Sequence, residues 1–294
     1  MFLIKLLIII VLILMLLFLL LIKPNHKRDV SAFTGKSYAH RGLHDDEVPE
    51  NSMTAFRLAR ENGYGVELDV QMTKDGQLVV FHDGSLKRMT GVDGYLRDYT
   101  FEELQKFHLL NTSEKIPLFQ DVLAVLGGTR SDENGADLVA EDGADLAVAD
   151  IVCEIKGDNG NMNYEICEKT YNCLADYAGI WCMESFSPFL VRWFKKNHPE
   201  VIRGQLSSHL TVKDCSNALI RFCMSNLLVN GISKPDFIAY RHKDISQFGF
   251  RCCAHLYHPL LIAWTARGTA ERESAWKHFD SIIFEKNENA HPVE

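Results

Sequence analysis

Short apolar segments alternate with amphipathic ones along most of the chain, and this alternation limits the folds open to it. Eight segments have the length and apolar character of buried strands: 37–40, 65–71, 150–155, 180–184, 201–206, 236–239, 259–265 and 281–284. Helical periodicity lies between them, as in 163–176, 187–197, 215–229 and 269–278. Strands that alternate with helices form parallel sheets, and eight of them favour a closed (β/α)8 TIM barrel over an open sheet.

Two segments interrupt the alternation. Residues 77–82 follow an Asp-Gly turn and predict an extra, hairpin-like strand after the second one, leading into a small polar insertion over 83–115. Farther on, the octamer at 135–142 is nearly repeated at 143–150. Two adjacent copies are too few for a repeat fold, so we predict an acidic inserted loop over 129–149.

The N-terminus carries an unbroken apolar run at residues 6–22, preceded by a single Lys5. About 20 such residues span the hydrocarbon core of a bilayer, and a lysine near the end can reach the interface. A cleaved signal peptide is the rival interpretation, but its apolar region is usually about 7–15 residues long and ends in small residues. This run ends in Lys23-Pro24, which favours a retained anchor. We predict a transmembrane anchor over 1–24 and a linker over 25–35.

The flanking charges bear on the orientation of this single-pass anchor. Three basic residues lie within 23–28, against Lys5 before the span, so the positive-inside bias places the large domain in the cytoplasm by a narrow margin. All eight cysteines lie between Cys153 and Cys253 and none has a metal-binding spacing. Unpaired core cysteines suit a reducing compartment, which also favours the cytoplasm.

Charge and length narrow the remaining possibilities. The net charge of −8 provides no basic stripe for phosphate backbones, which argues against a nucleic-acid partner. Membrane attachment therefore falls to the N-terminal helix alone. The rest of the chain has the length of one α/β barrel, which we place at 36–286, followed by a tail at 287–294.

Paired carboxylates mark the second strand. Glu67 and Asp69 are two residues apart and share one face, while Val66 and Leu68 share the other. In a parallel barrel the apolar face packs against helices, so the two acids point inwards and need a cation. Carboxylate oxygens suit Mg²⁺ or Ca²⁺. A strand with one exposed face is the alternative.

The next barrel strand repeats this arrangement, because Glu154 and Lys156 also share a face. Glu154 would add a third carboxylate to Glu67 and Asp69 around one metal ion, and Lys156 would attract an anionic substrate. A structural salt bridge between Glu154 and Lys156 is the alternative.

Two histidines end strands near these acids. His40 ends the first strand beside Arg41, and His82 ends the extra strand. Imidazoles have the side-chain pKa nearest neutrality and serve as acid and base, while an arginine can bind a phosphate in bidentate fashion. Polar caps at strand ends, with a solvated ion pair, are the alternative.

An ordered set of motifs, covering about residues 36–286, resembles the glycerophosphodiester phosphodiesterase family. The motifs are His40-Arg41-Gly42, Pro49-Glu50-Asn51-Ser52, Glu67-Leu68-Asp69, His82-Asp83, Ile116-Pro117, Glu154-Ile155-Lys156, Ser185-Phe186-Ser187-Pro188, Lys234-Pro235-Asp236-Phe237, Trp264-Thr265 and Asp280-Ser281-Ile282-Ile283-Phe284-Glu285. The family's fold is a (β/α)8 barrel with a small insertion after the extra strand.

The resemblance implies roles for nine residues. They are His40 and His82 as the catalytic pair, Glu67, Asp69 and Glu154 as ligands of Mg²⁺ or Ca²⁺ with Glu50 nearby, Arg41 and Lys156 at the phosphate, and Trp264 as a wall for the alcohol. It also implies hydrolysis of a small phosphodiester to glycerol 3-phosphate and an alcohol, with the glycerol 2-hydroxyl as attacking group and a cyclic phosphate opened by water. Two alternatives remain open: a lysophospholipase D-type enzyme acting on membrane lysophospholipids, and an inactive membrane-tethered binding protein.

Overall fold

The computed structural model describes residues 1–25, 27–127, 130–131, 137–138, 147–157 and 163–286. The strands are β1 (Ser37–His40), β2 (Gly65–Met72), β3 (Leu78–Val80), β4 (Arg130–Ser131), β5 (Asp137–Leu138), β6 (Ile151–Ile155), β7 (Trp181–Ser185), β8 (Arg203–Ser207), β9 (Phe237–Arg241), β10 (Leu260–Arg267) and β11 (Ser281–Glu285). The helices are α1 (Phe2–Ile22), α2 (Met53–Glu61), α3 (Lys87–Thr90), α4 (Phe101–Leu104), α5 (Phe119–Val125), α6 (Glu165–Leu174), α7 (Pro188–Asn197), α8 (Ala218–Ser225), α9 (Asn230–Ser233), α10 (Phe248–Tyr257) and α11 (Gly268–Ala275). Short 3-10 helices lie at Ser31–Phe33, Leu96–Asp98 and His242–Asp244.

Eight parallel strands close into a barrel in the order β1, β2, β6, β7, β8, β9, β10 and β11. β1 pairs with β2 on one side and with β11 on the other, which closes the ring. β3 is added antiparallel to the far end of β2, with Val70 opposite Val80. The predicted (β/α)8 barrel is confirmed.

Side chains alternate between the two faces of each strand, as the sequence pattern requires. Val66 and Leu68 join the large apolar core under the surrounding helices. The opposite faces of the strands fill the lower half of the barrel with a second apolar cluster, which includes Phe33, Tyr38 and Phe237. This cluster forms a floor, so the polar residues nearer the carboxyl ends of the strands lie above it.

Residues 83–115 form a small unit beside the mouth of the barrel. Its two short helices, α3 and α4, enclose an apolar cluster of their own. The cluster includes Leu86, Met89, Leu96, Leu104 and Leu109. Most of the acidic loop predicted over 129–149, and all of the tail predicted over 287–294, lie outside the described residues.

Helix ends follow the local capping chemistry. Ser52 is the N-cap of α2, since its side chain accepts a hydrogen bond from the Ala55 N–H. α8 is shorter than the predicted 215–229. Asn217 caps the start of α8 by accepting hydrogen bonds from two backbone N–H groups. Leu227 has a φ of 59°, which is incompatible with a continued α-helix.

Helix α1 is long and apolar enough to cross a membrane, and by length and composition it is either a membrane span or a signal sequence. Residues 1–17 are exposed. The last turn is different, because Ile22 is fully buried in the main apolar core. The helix is therefore joined to the barrel through its C-terminal turn.

Candidate active site

The predicted site residues gather at the carboxyl ends of the first barrel strands, where parallel barrels place their chemistry. His40 ends β1, and Glu67 and Asp69 lie on the inner face of β2. Glu154 lies opposite Asp69 in the register between β2 and β6. These side chains come together because neighbouring strands place their inward-facing residues at the same level of the barrel.

Three buried carboxylates converge above the apolar floor. Glu67, Asp69 and Glu154 each offer an oxygen, and these atoms lie within 4.8 Å of one another. Burial, followed by the charges of Asp69 and Glu154, raises the pKa of Glu67 well above its ordinary value. Burial alone would also raise the pKa of Asp69, but Lys156 and the other neighbouring cations lower it. Oxygen donors in this arrangement suit a hard divalent cation.

Lys156 contacts two of these carboxylates. Its Nζ lies 2.7 Å from Asp69 Oδ1 and 2.7 Å from Glu154 Oε2. Burial lowers the pKa of the ammonium, but the two acids outweigh burial and raise it. The salt bridge considered as the alternative therefore exists, and it lies within the carboxylate cluster rather than apart from it.

Arg41 is buried and faces the Asp69 oxygen that Lys156 does not contact. Its Nε lies 3.3 Å from Asp69 Oδ2 and its Nη1 lies 2.7 Å from Glu50 Oε1. The backbone at Arg41 has a φ of 54°, which turns the chain so that its N–H donates to Glu67 Oε2 at 3.1 Å. Asn51, also at a positive φ, donates from Nδ2 to Asp69 Oδ2 at 2.9 Å.

His40 is held by an acid for which the sequence alone predicts no role. Its Nδ1 lies 2.7 Å from Glu285 Oε1, at the end of β11, and the other oxygen of Glu285 accepts from Arg267 Nε at 2.7 Å. Its Nε2 faces Glu67 Oε2 at 3.8 Å. Burial, with the charge of Arg41, lowers the pKa of His40 to about 4, and Glu285 opposes that shift.

His82 has an equivalent arrangement. Its Nδ1 lies 2.7 Å from Asp83 Oδ1, and Asp83 Oδ2 accepts from Arg88 Nε at 2.6 Å. Strand β3 ends at Val80, two residues earlier than predicted, so His82 lies in a loop. Gln71 secures that loop, since its Nε2 donates to the carbonyl of His82 at 3.1 Å and to the carbonyls on either side.

Arg88 connects the insertion to the site. Its guanidinium contacts Asp83 and also Glu50, with Nη2 2.6 Å from Glu50 Oε1. Burial would raise the pKa of Glu50, but Arg41 and Arg88 lower it to about 2. The Glu50 carboxylate is therefore a fixed negative charge between Arg41 and Arg88.

Glu184 is a fourth buried carboxylate at this level, opposite Glu154 in the register between β6 and β7. Its Oε2 has no hydrogen-bond partner among the residues that the structure describes, and burial, followed by the charge of Glu154, raises the pKa of Glu184. The alternation used on the second strand would have placed Glu184 inside the barrel. Glu285 ends the last motif quoted from the sequence, although no role is predicted for it there, whereas Arg267 and Arg88 come from distant segments and carry no such local signal.

Two further groups border the site. Trp264 lies on the same face of β10 as the inward-facing Ile262, with its ring edge-on to Phe186 at 5.6 Å between centroids. A cleft of about 590 Å³ opens beside His82 and Lys156. His44 has a ring nitrogen within 4.8 Å of ligating atoms of both His40 and Glu285.

Comparison with known proteins finds a family model that matches the segment carrying this arrangement. Residues 40–157, which contain both histidines and all three converging carboxylates, match the model of the Glycerophosphoryl diester phosphodiesterase family. Over this segment the chain is similar to members of the glycerophosphodiester phosphodiesterase family. The suspected resemblance is thereby confirmed.

Individual relatives are similar to this chain over part of their length. A glycerophosphodiester phosphodiesterase from Bacillus altitudinis is 44% identical over 98 residues, which cover 31% of this chain and 40% of the relative. The human lysophospholipase D GDPD1 is 32% identical over 177 residues, covering 54% of this chain and 55% of the relative. The chain thus spans about half or less of the length of these relatives.

A solved structure supports the fold. An Oleispira antarctica phosphodiesterase, in complex with the product sn-glycerol-3-phosphate, matches with a TM-score of 0.64 and 20% identity over 86% of this chain and 94% of that chain. At this level of identity the likeness is one of fold, and it agrees with the closed barrel described above.

Proposed function

We propose that this protein hydrolyses glycerophosphodiesters to glycerol 3-phosphate and an alcohol. One observation carries the proposal: three converging carboxylates lie between two histidines that are each held at Nδ1 by a second acid. The family match over residues 40–157 and the activities named for the relatives support the same reaction.

The metal ligands in this proposal are Glu67, Asp69 and Glu154. The donor set fits a divalent cation, because these carboxylates and Glu184 are all buried while Lys156 and Arg41 supply two positive charges. Unsatisfied buried negative charge is costly, and hard oxygen donors suit Mg²⁺ or Ca²⁺. When bound, such an ion offsets charge at phosphorus and polarises its oxygens.

His40 and His82 move the protons in this proposal. Each ring is oriented by its Nδ1 contact with a carboxylate, which leaves Nε2 as the free acid or base atom. One histidine takes the proton of the attacking hydroxyl, and the other donates a proton to the leaving alkoxide. Resemblance to the family suggests the glycerol 2-hydroxyl as the attacking group.

Arg41 and Lys156 bind the phosphate in this scheme. Both are buried cations at the rim of the carboxylate cluster, and Lys156 also borders the cleft beside His82. Trp264 provides an aromatic wall for the alcohol, and Glu50 holds Arg41 in place through their 2.7 Å ion pair.

We further propose that α1 is a retained single-pass anchor over residues 1–24, joined by a linker at 25–35 to a catalytic barrel at 36–286. The barrel would lie on the cytoplasmic side. The unbroken apolar helix and the basic residues after it support this arrangement.

A lysophospholipase D-type activity is the second candidate. It rests on the similarity to human lysophospholipase D GDPD1 and on the apolar helix, which would place the enzyme beside its lipid substrate. The third possibility, an inactive tethered binding protein, would not require this complete set of acids, histidines and cations.

The test is an assay of the full chain in lipid nanodiscs with Mg²⁺ or Ca²⁺. Glycerophosphocholine, glycerophosphoethanolamine and lysophosphatidylcholine serve as substrates, and release of glycerol 3-phosphate distinguishes the first activity from lysophosphatidic acid release. We expect turnover of at least one glycerophosphodiester that is lost in His40→Ala. Equal product release by the wild type and His40→Ala would contradict the proposal.

A further inference from the structure

The apolar helix α1 meets the barrel at one defined place. The Ile22 carbonyl accepts from Asn230 Nδ2 in α9 at 2.8 Å, and the Leu19 carbonyl accepts from the Tyr257 hydroxyl in α10 at 2.8 Å. The ring of Phe18 packs on that of Phe248 at 5.5 Å between centroids. All residues before Phe18 are exposed, so the free part of the helix leaves the barrel beside the start of α10.

Phe248 belongs to an apolar surface that no described residue covers. It is 66% exposed, although it opens α10 next to the base of the apolar helix. The neighbouring α8 exposes Leu219 to 70%, together with Ile220 and Phe222. Leu219 and Phe222 are three residues apart and share one face of α8. Solvent contact of several large apolar side chains is unfavourable and marks a surface that binds something apolar.

α8 and α10 form one continuous flank. The Gly249 N–H donates to Asn226 Oδ1 at 3.1 Å, just after the end of α8. A β-carbon at Gly249 would lie 2.2 Å from the Asn226 carbonyl oxygen, so glycine permits this close approach of the two segments. The C-terminal end of α8 therefore lies against the start of α10, where Phe248 meets α1.

The same flank reaches the mouth of the barrel. Ser207, the last residue of β8, donates from Oγ to the Met224 carbonyl at 2.7 Å, and the Leu210 N–H donates to Ser225 Oγ at 2.9 Å. Strand β8 ends at the level of the active site, so the C-terminal turn of α8 lies at the rim.

Positive charge surrounds the base of α1. Lys234 Nζ donates to the Lys23 carbonyl at 3.1 Å and the Leu20 carbonyl at 3.3 Å. Burial and the charges of Lys195 and Lys23 lower the pKa of Lys234. Basic residues beside a span attract anionic lipid head groups.

We infer that the flank formed by α8 and the start of α10 docks on the lipid bilayer that α1 enters, with Leu219, Ile220, Phe222 and Phe248 in its interfacial layer. The partner is a phospholipid surface, because Phe248 packs against the apolar helix at Phe18, the exposed apolar residues of α8 lie on the adjoining segment, and Lys234 contacts the last turn of that helix. Docking holds the rim at α8 against the lipid. This deepens the proposed function, on which its catalytic consequence rests, by making lipid-borne phosphodiesters accessible to the site.

Photo-crosslinking in the full chain tests the contact without relying on activity. p-Benzoylphenylalanine replaces Phe222, Phe248, Leu12 or Tyr95 in separate variants, in nanodiscs of phosphatidylcholine with a minor share of phosphatidylglycerol. Tyr95 is the matched control, since it is 55% exposed against 56% for Phe222 and follows β3, on the opposite side of the barrel from β9. We expect lipid adducts at positions 222, 248 and 12, and at least about tenfold fewer at 95.

A second arm measures the consequence for catalysis. Leu219→Asp with Phe222→Asp should lower turnover of bilayer-borne lysophosphatidylcholine roughly tenfold, since two apolar side chains no longer enter the lipid, and leave glycerophosphocholine turnover unchanged. If the wild type hydrolyses neither substrate, the proposed function fails while lipid adducts at 222 would still support docking. Absence of lipid adducts at 222 and 248, protein–protein adducts there instead, adducts at 95 equal to those at 222, or no adduct at 12 would each overturn the inference.

Discussion

His40 Nδ1 lies 2.7 Å from Glu285 Oε1, and this contact joins the first and last strands of the barrel. Arg267 holds the other oxygen of Glu285 at 2.7 Å, so the acid is fixed on both sides. Asp83 and Arg88 do the same for His82. Each histidine thus presents Nε2 to the site from a ring whose orientation is set by a carboxylate that an arginine anchors.

Glu285→Gln should therefore slow catalysis by at least about tenfold, within the ~10²–10⁴-fold that a positioned acid or base supplies. Burial and Arg41 keep the pKa of His40 at about 4, and Glu285 works against them by favouring the charged ring. Its removal should lower the pKa further and shift the limb of the kcat profile that His40 governs to more acidic pH. Steady-state rates across pH measure this. Glu273→Gln, exposed on α11, is the control, and an unshifted profile in Glu285→Gln contradicts the positioning role.

The two histidines should behave as one catalytic unit. His40→Ala and His82→Ala should each reduce turnover ~10²–10⁴-fold, and the double variant should lose far less than the product of the two. Rates at saturating metal give the comparison, with circular dichroism to confirm folding. The exposed His209→Ala serves as control. A single variant that keeps near wild-type turnover would show that its histidine is a structural cap.

Divalent-ion binding should depend on Asp69. Asp69→Asn removes the negative charge of one of the three converging carboxylates. It should weaken Mg²⁺ or Ca²⁺ binding at least about tenfold, with loss of turnover. Equilibrium dialysis reports the binding directly, and the exposed Asp176→Asn provides the comparison. Chelation should stop the wild type reversibly. Full activity in excess chelator would refute the metal assignment.

Arg88 should matter although it lies in the insertion. Arg88→Gln removes charge-assisted hydrogen bonds to Asp83 and Glu50, whose net value of about 1.5–3 kcal/mol corresponds to roughly a tenfold fall in kcat or more. The adjacent Lys87 pairs with Asp93 on the surface, so Lys87→Gln should leave kcat unchanged. Equal effects of the two substitutions would mean that the insertion does not orient His82.

The position of a truncation should decide whether the barrel stays stable. Removing residues 1–17 deletes exposed apolar chain, whereas removing 1–28 also deletes the buried Ile22 and the hydrogen bond from Asn25 to Asp236. Burial of one such side chain is worth about 1.5–3 kcal/mol, so the longer deletion should unfold at a lower temperature. Thermal unfolding of both proteins is the measurement. Identical midpoints would show that the last turn of α1 adds no stability.

The sequence predicted those parts of the site that lie within one strand. Glu67 with Asp69, and Glu154 with Lys156, are related by the two-residue period of a β-strand, which any barrel would preserve. The same period would have revealed Glu184. The contacts of His40 with Glu285 and of Glu50 with Arg88 join segments far apart in the chain, and only closure of the barrel and folding of the insertion bring them together. Strand β3 is shorter than predicted. The carbonyls that follow it are bound by the Gln71 side chain, and no periodic sequence pattern predicts such a contact.

The apolar floor formed by Phe33, Tyr38 and Phe237 makes the barrel a cup rather than a tube. Substrate and both products must then use the same opening. Glycerol 3-phosphate, if it is the product, carries one more ionisable oxygen than the diester and meets the same cations, Arg41 and Lys156, on its way out. Accumulated product would therefore compete with incoming diester, and the rate in a cell would follow how quickly that product is consumed.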